Sequence, residues 1–445
     1  MRARTKIALV GLLALGIGFP VVALGPSDPI DRPVSATRTA ERVTPVAVDV
    51  VTIYNSGNLK DDVAARAEAA ARAAGATVAF GRSASVPMTA LSRGAAPVQL
   101  PPLGFAYAMG ATVLPHDVVA RTMGADVAQF LAADALVMGA ASAGLRGAQA
   151  GDTAQLTASS GATVSFRIAA VLPDDRVGGA EFLMSPQAGE RLGIVHLSRA
   201  VIWGFPSRAA IDSALASNGL VSTSIRIRRS WDPPDPDDTI GMARTKTLLG
   251  EFAYRVNANG SVSQDDAWVA ASLPAGRNLL NDSIPVRARC HNVVEPALRA
   301  AFAELAMRGL GATIDVTNAN TYGGCHNARF NRLTPDSSLG FLSRHSWAMA
   351  FDTNTVGSCQ GCAPPDFATR PGGCTAVQVF RKHGFAWGGN FLTPDGMHFE
   401  YVGERRDLLP YPSRWCQNTG PLSLSTAEQG IDTFFADDGL YAGEH

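Results

Sequence analysis

Ser343-Arg344-His345-Ser346-Trp347-Ala348-Met349-Ala350-Phe351-Asp352, with the later stretch Asp395-Gly396-Met397-His398-Phe399-Glu400-Tyr401, carries the clearest chemical signal in the sequence. Three of these side chains are typical metal ligands, namely His345, Asp352 and His398. A catalytic zinc ion takes three such protein ligands and keeps a fourth position open for water. Hydrolysis also needs a general base beside that water, and Asp395 and Glu400 are the two candidates.

The local pattern predicts how these groups come together. Residues 350–352 are predicted to form a short buried strand that ends at the polar Asp352, and residues 398–401 a second strand. Because side chains alternate along a strand, His398 and Glu400 share one face. Asp395 lies between a proline and a glycine, which is typical of a turn. The sequence therefore predicts a metal pocket built from a strand, a loop and a turn.

These motifs resemble a known family. The pattern S-x-H-x-x-(G/A)-x-A-x-D followed by D-x-x-H-F-E is similar to zinc peptidases that include D-alanyl-D-alanine carboxypeptidases, vancomycin-resistance D,D-dipeptidases and phage L-alanyl-D-glutamate endolysins. The resemblance extends to Gly323-Gly324-Cys325-His326-Asn327-Ala328-Arg329 and to Trp387-Gly388-Gly389, and covers roughly residues 280–405. It implies an α+β C-terminal domain with the hedgehog-like zinc D,D-peptidase fold.

The resemblance also implies roles for individual residues. The zinc ligands are matched by His345, Asp352 and His398. Asp395 matches the catalytic acid/base, and Arg329 matches an arginine that polarises the substrate carbonyl. Arg329 has a simpler alternative, which is an ion pair with Asp315 or Asp336.

Three further positions near the motifs bear on the site. Ser343 matches a hydroxyl residue two positions before the first ligand. Glu400 is expected to support His398 as its neighbour on the strand face, although it could instead be a solvated strand residue. Ala348 departs from the family, which usually has glycine there, and alanine would be strained if the position requires a positive φ.

The function implied by the resemblance is that of an extracytoplasmic zinc metallopeptidase. Its cofactor would be Zn²⁺ and its substrate the peptide stems of peptidoglycan, cut either at a terminal D-Ala or inside a cross-link. The alternative is a catalytically silent, zinc-stabilised domain that binds the cell wall. The presence of Asp395 argues against that alternative, because a purely structural zinc site needs no base.

Length and net charge limit the number of domains and the kinds of partner that the chain can have. A chain of 445 residues is long enough for two domains or more. Its 38 basic and 39 acidic residues give a net charge of −1. No broad basic surface is therefore expected, and nucleic acid is not a predicted partner.

The N-terminus predicts export. Three basic residues precede an apolar run over residues 7–24, so residues 1–27 are predicted to form a signal-anchor or transmembrane segment that places the rest of the chain outside the cytoplasm. Residues 28–45 would be a tether. The predicted location is the cell membrane with a single pass. The alternative is that this segment is a cleaved signal peptide and that the protein is secreted.

All six cysteines lie in the C-terminal part of the chain. An even number of cysteines in an exported domain predicts up to three disulfides, and the sequence does not choose among the possible pairings. A redox pair or half a structural zinc site is the alternative for the C-x-x-C motif. The six cysteines are Cys290, Cys325, Cys359, Cys362, Cys374 and Cys416.

Hydrophobic patterns and composition divide the rest of the chain. Strand and helix patterns alternate over residues 46–230, which predicts an α/β or α+β domain of unknown role. Residues 231–240, rich in proline and aspartate, are predicted to be an extended, exposed linker. Residues 241–420 would form the peptidase domain, with a hairpin at 257–260 and an amphipathic helix over 292–309, and 421–445 an acidic tail.

Overall fold

The computed structural model describes residues 48–317, 322–332, 338–355 and 359–420. The predicted membrane segment, tether and acidic tail all lie outside these ranges. Within them, no helix is both long enough and apolar enough to cross a bilayer. This finding contradicts the predicted single-pass location in the cell membrane.

Strands are present along the whole described chain, which confirms a mixed content of strand and helix. They are β1 Val50–Asn55, β2 Thr77–Arg93, β3 Ala96–Gln99, β4 Ala106–Val113, β5 Ala135–Gly139, β6 Thr153–Thr157, β7 Thr163–Leu172, β8 Phe182–Met184, β9 Arg199–Trp203, β10 Ile225–Arg229, β11 Ala253–Val256, β12 Val262–Gln264, β13 Asn278–Leu279, β14 Arg287–Ala288, β15 Tyr322–Gly323, β16 Ala350–Thr353, β17 Phe385–Trp387 and β18 His398–Tyr401.

Helices alternate with these strands. They are α1 Asp61–Ala73, α2 His116–Thr122, α3 Ala125–Ala128, α4 Ala140–Arg146, α5 Pro186–Leu192, α6 Arg208–Ser217, α7 Met242–Leu249, α8 Asp266–Ser272, α9 Glu295–Met307, α10 Asp366–Thr369 and α11 Gly373–Lys382. Short 3-10 helices lie at Asp174–Val177, Gly311–Thr313, Arg344–Trp347 and Gly388–Asn390.

One large sheet dominates the first half of the chain. Its order is β10-β1-β9-β2-β6-β7-β5-β8-β4-β11-β12. Strand β2 is long enough to pair with β9 near its start, with β4 along its middle and with β6 near its end. The pairings from β2 through β6, β7, β5, β8 and β4 therefore return to β2 and close a ring, whose inward side chains form a buried apolar cluster.

The large sheet continues past the predicted linker. Ala253 and Tyr254 of β11 pair with Tyr107 and Ala106 of β4, and β12 pairs with β11 as the predicted hairpin. We expected that hairpin to belong with the peptidase region, but it extends the sheet of residues 46–230. The domain boundaries at 230 and 241 stay a prediction.

The segment 231–240 differs from the expected exposed linker. Asp235, Asp237 and Asp238 are all buried. Arg226 lies 3.0 Å from Asp235 and 2.5 Å from Asp238, and Arg381 forms an ion pair with Asp237. The expectation of exposure is wrong here because arginines distant in sequence neutralise these carboxylates, and a buried charge requires such a partner.

The second half of the chain carries a small antiparallel sheet in the order β15-β16-β18-β17. Helices α9 and α11 contribute phenylalanines to the apolar core beneath it. Phe302 of α9 meets Phe351 edge to face with ring centroids 5.6 Å apart. Phe380 of α11 stacks on Phe399 at 4.0 Å. One face of β16 and β18 is thus packed on the helices, and the alternate side chains point away from them.

Three disulfides are formed, which confirms the prediction of paired cysteines. The pairs are Cys290–Cys325, Cys359–Cys362 and Cys374–Cys416. Disulfides of this number are typical of proteins that mature in an oxidising compartment.

Candidate metal centre

His345 lies in a 3-10 turn whose two ends are fixed by its neighbours. Ser343 precedes the turn, and its hydroxyl accepts a hydrogen bond from the His345 backbone N–H at 3.3 Å. Ala348 ends the turn with a φ of 53°. This left-handed conformation is the one that glycine tolerates best, and it costs alanine roughly 1 kcal/mol. The family's usual glycine at this position therefore has a conformational reason.

The orientation of the His345 ring is set by a backbone carbonyl. Its Nδ1 lies 3.1 Å from the carbonyl oxygen of Cys325, so Nδ1–H donates there and Nε2 is left as the nitrogen with a lone pair. That Nε2 lies 3.3 Å from Oδ2 of Asp352. His345 thus presents its metal-binding nitrogen to the carboxylate.

Strand pairing brings the other two predicted ligands together. Asp352 of β16 and His398 of β18 lie directly opposite each other in the antiparallel register. Oδ1 of Asp352 is 3.1 Å from Nδ1 of His398, so this carboxylate lies between the two imidazoles. The donor atoms of His345, Asp352 and His398 all fall within 4.8 Å of one another.

This donor set fits a zinc ion. Two imidazole nitrogens and one carboxylate oxygen are ligands that zinc prefers, each at about 2.0–2.2 Å from the metal in a tetrahedral arrangement. Three ligands on such a tetrahedron are about 3.5 Å apart, which is close to the separations of 3.3 Å and 3.1 Å found here. A fourth tetrahedral position would remain for water or substrate.

Glu400 lies behind His398 and not beside the ligand atoms. Its Oε2 is 3.5 Å from Nε2 of His398, and its Oε1 forms an ion pair with Arg344 Nε at 3.2 Å. Both carboxylate oxygens therefore lie at ion-pair distance from a buried side chain, Oε1 from Arg344 and Oε2 from His398. A carboxylate on the far nitrogen of a liganding histidine fixes the ring and its tautomer, which favours a supporting role for Glu400 over that of a base.

Negative charge accumulates around His398. Burial by itself lowers the pKa of this imidazole, but its contacts with Asp352 and Glu400 and the charges of Asp352 and Asp395 together raise it to about 10. An imidazole among three carboxylates needs a cation to balance them. Either a proton or a metal ion meets this need, and metal binding here would release the proton.

Asp395 is buried in the turn before β18. Its backbone N–H donates to the carbonyl of Gly388 at 2.8 Å, and its own carbonyl accepts from His398 N–H at 3.2 Å. A Cβ at Gly388 would lie 2.7 Å from the Asp395 carbonyl oxygen and 3.0 Å from Cβ of His398. The first glycine of Trp387-Gly388-Gly389 thus allows the turn that contains Asp395 to pack closely against strand β18.

Arg329 is anchored through its backbone beside the His345 turn. Its N–H donates to the Ser346 hydroxyl at 3.2 Å, and its carbonyl accepts from that hydroxyl at 3.1 Å. Its Nη1 also donates to the carbonyl of Phe330 at 3.2 Å. The predicted ion-pair partner Asp336 lies outside the described residues. The role of Arg329 toward a substrate carbonyl stays a prediction.

Some residues that support the site were missed by sequence reasoning. The Cys325 carbonyl sets the His345 tautomer, and Arg344 forms an ion pair with Glu400. Gln264 donates to the carbonyl of Ser346 at 2.7 Å and lies 2.6 Å from Nε2 of His326. Arg344 lies directly before the proposed ligand His345 in the sequence. Its contacts, however, are with Thr245 and Ile240, about a hundred residues away. A sequence pattern gives no signal for such contacts.

Comparison with known proteins agrees with this geometry. Residues 337–401 match the family model described as D-alanyl-D-alanine carboxypeptidase, and this match contains His345, Asp352, Asp395 and His398. No curated protein matches the chain. The match confirms the resemblance found in the sequence, and it places a D-alanyl-D-alanine carboxypeptidase-family segment in the C-terminal part of the chain.

Proposed function

We propose that the C-terminal region is a zinc-dependent peptidase that hydrolyses peptide bonds in the stem peptides of peptidoglycan. One observation carries the proposal: His345, Asp352 and His398 bring their donor atoms within 4.8 Å of one another. The buried carboxylate of Asp395 lies in the adjoining turn, close enough to raise the pKa of His398. A structural metal site would not need this additional acid group.

Zinc would be held by Nε2 of His345, Nδ1 of His398 and the carboxylate of Asp352. When bound, it supplies Lewis-acid chemistry, lowering the pKa of a water molecule and polarising a carbonyl. In each histidine, the ring nitrogen that would not bind zinc faces another group of the protein. Nδ1 of His345 is directed to the Cys325 carbonyl, and Nε2 of His398 faces Glu400.

Asp395 is the proposed acid/base. Its carboxylate would take the proton of the attacking water and then give it to the nitrogen of the leaving amine, so that no net proton is consumed. Burial of Asp395 excludes bulk water from this exchange. Arg329 would donate hydrogen bonds to the substrate carbonyl as negative charge develops on its oxygen.

The substrate class rests on the family match over residues 337–401. Peptidoglycan stems lie outside the cytoplasm, and the three disulfides suit such an oxidising environment. Whether the enzyme removes a terminal D-Ala or cuts within a cross-link depends on the shape of the cleft around the proposed zinc.

The test is digestion of purified muropeptides by the zinc-reconstituted protein, with the products weighed by mass spectrometry. We expect loss of one alanine from a pentapeptide stem, or separation of a cross-linked dimer into monomers. Arg329→Lys serves as a second variant that retains charge but loses the planar fork of donors, and we expect slower turnover with zinc binding retained. Unchanged muropeptides with a fully zinc-loaded protein would contradict the proposal and favour the silent binding domain.

A further inference from the structure

Arg344 is fully buried next to the first proposed ligand, and it joins two parts of the chain. Its Nε forms the ion pair with Glu400 at 3.2 Å. Its two other nitrogens contact a different part of the chain. Nη1 donates to the hydroxyl of Thr245 at 2.6 Å, and Nη2 donates to the carbonyl of Ile240. Arg344 therefore contacts Glu400 in the site sheet, Thr245 within α7 and the carbonyl of Ile240 just before α7.

Helix α7 is itself fixed from the other side. Lys246, the residue after Thr245, is buried and lies 3.0 Å from Glu181 and 2.8 Å from Glu251. It also donates to the carbonyl of Ala108 in β4. Glu181 further accepts from the Gly110 backbone N–H at 2.8 Å. Helix α7 is thus held to the strands of the large sheet by buried charged contacts, which fixes the position of its neighbouring Thr245.

We propose that Arg344 is a positioning residue, which uses Thr245 and the Ile240 carbonyl to hold Glu400 and, through it, the ring of His398 in its metal-binding orientation. The proposal rests on the proposed zinc site. It assigns a role to the segment around residue 240, which sequence reasoning treated as a linker, and it makes the first half of the chain part of the support of the metal centre.

The geometry favours arginine for this task. A guanidinium presents its donors in a fixed plane, so the bonds to Thr245 and to the Ile240 carbonyl set the plane in which Nε lies beside Glu400. Glu400 then has little freedom to rotate, and its Oε2 stays near Nε2 of His398. Removing a carboxylate behind a liganding histidine typically lowers metal affinity about 10- to 100-fold. Loosening the arginine that holds the carboxylate should have a smaller effect in the same direction.

The experiment measures zinc affinity by competition with a chelator, and the visible spectrum of the cobalt-substituted full-length protein. Glu400→Gln keeps the shape and removes the charge, and we expect zinc affinity to fall about 10- to 100-fold. Thr245→Val removes the hydroxyl at nearly constant volume, and we expect a fall of about 3- to 10-fold. Both variants should shift the cobalt bands, because the ligand field changes when the His398 ring can tilt.

The same helix offers a matched control. Thr245 and Thr247 each donate their hydroxyl to the carbonyl four residues earlier, at 3.1 Å and 2.9 Å. Thr247→Val therefore removes the same local hydrogen bond without touching Arg344, and it should leave zinc affinity and the cobalt spectrum unchanged. Thr245→Ser keeps the hydroxyl and should rescue both readouts. Far-ultraviolet circular dichroism confirms that each variant is folded.

The outcomes separate this proposal from the proposed function. Wild-type affinity and cobalt bands in a folded Glu400→Gln protein would overturn the positioning role, whether or not the protein cleaves peptide. The positioning role is also overturned if Thr247→Val weakens zinc binding as much as Thr245→Val. If Glu400→Gln does not fold, the positioning role is tested by comparing the zinc affinity of Thr245→Val with that of the controls Thr245→Ser and Thr247→Val. A protein that binds zinc as expected but leaves muropeptides intact would overturn the peptidase function and leave the positioning role standing.

Discussion

Asp237, in the segment predicted to be an exposed linker, should be one of the most sensitive positions in the chain. Its Oδ1 accepts from Arg381 Nε at 2.9 Å and from the Trp387 backbone N–H at 3.1 Å. Its Oδ2 accepts from Arg381 Nη2 and from Asn390 Nδ2, the latter at 2.7 Å. Asp237 and Arg381 are both buried. The carboxylate thus connects residue 237 to β17, one of the two edge strands of the site sheet.

Asp237→Asn preserves the shape but changes the chemistry. The amide removes the charge opposite Arg381 and places an NH₂ group against two donors, so two hydrogen bonds are lost. Breaking a buried ion pair by removing one partner costs about 3–5 kcal/mol, and we expect the free energy of unfolding to fall by that amount. The measurement is urea unfolding followed by tryptophan fluorescence and by circular dichroism.

Asp232→Asn is the control, because it makes the same substitution in the same segment. Asp232 accepts from the Arg229 backbone N–H at 2.9 Å, and its side chain is 27% exposed. Contacts of this partly exposed kind contribute less than about 1 kcal/mol. If Asp237→Asn unfolds at the same urea concentration as Asp232→Asn, the segment is a solvated linker and its assignment as a buried tie to β17 is wrong.

Two further predictions concern the stability of the protein at low pH and the turn that contains Asp395. Glu304 accepts hydrogen bonds from the side chains of Lys382, His383 and Arg308. Burial raises the pKa of Glu304, but these bonds lower it to about 2 from 4.5. Its stabilisation is therefore full above pH 4.5 and is lost as the pH falls toward 2. Glu304→Gln should lower the free energy of unfolding by roughly 1 kcal/mol at pH 7. In urea unfolding, the difference in free energy between the variant and the wild type should disappear as the pH falls from 5 to 2. A difference that stays constant over this range would contradict the prediction. Gly388→Ala places a Cβ 2.7 Å from the Asp395 carbonyl oxygen, and the displaced turn should lower turnover on a defined muropeptide about 10- to 100-fold. Gly144→Ala, with no atom within 4 Å of the added Cβ, should keep normal turnover, and equal rates in the two variants would refute the close-approach explanation.

Local patterns predicted the parts of the site that depend on local geometry. Residues 350–352 and 398–401 were predicted to be strands, and the structure has β16 at Ala350–Thr353 and β18 at His398–Tyr401. The helix predicted over 292–309 is α9, at Glu295–Met307. In each case the apolar alternation or the helical period sufficed. The resemblance to the peptidase family, rather than a local pattern, singled out Ala348, where glycine is usual and alanine would be strained at a positive φ; the structure gives Ala348 a φ of 53°.

The features that could not be predicted from the sequence depend on contacts between distant parts of the chain. The composition of residues 231–240 favours an exposed linker, and its burial depends on partners from distant elements, among them arginines of β10 and α11. The support of His398 through Glu400 and Arg344 ends at Thr245, on a helix with no chemical signature of its own. The pairing of β11 with β4 joins residues almost 150 positions apart. Hydrophobic periodicity predicts elements, but it carries no information on which distant element they meet.

The most direct test of the zinc peptidase assignment compares His345→Ala with Asp395→Asn in one assay of zinc content and muropeptide turnover. His345→Ala removes a proposed ligand, so it should lose zinc and, because metal binding is coupled to folding, some local stability. Asp395→Asn leaves all three ligands in place. It should keep the zinc of the wild type and lose the contribution of general-base catalysis, roughly 10²–10⁴-fold in turnover. Near-normal turnover by Asp395→Asn at full zinc occupancy would contradict the role of Asp395, and wild-type zinc content in His345→Ala would contradict the metal centre itself.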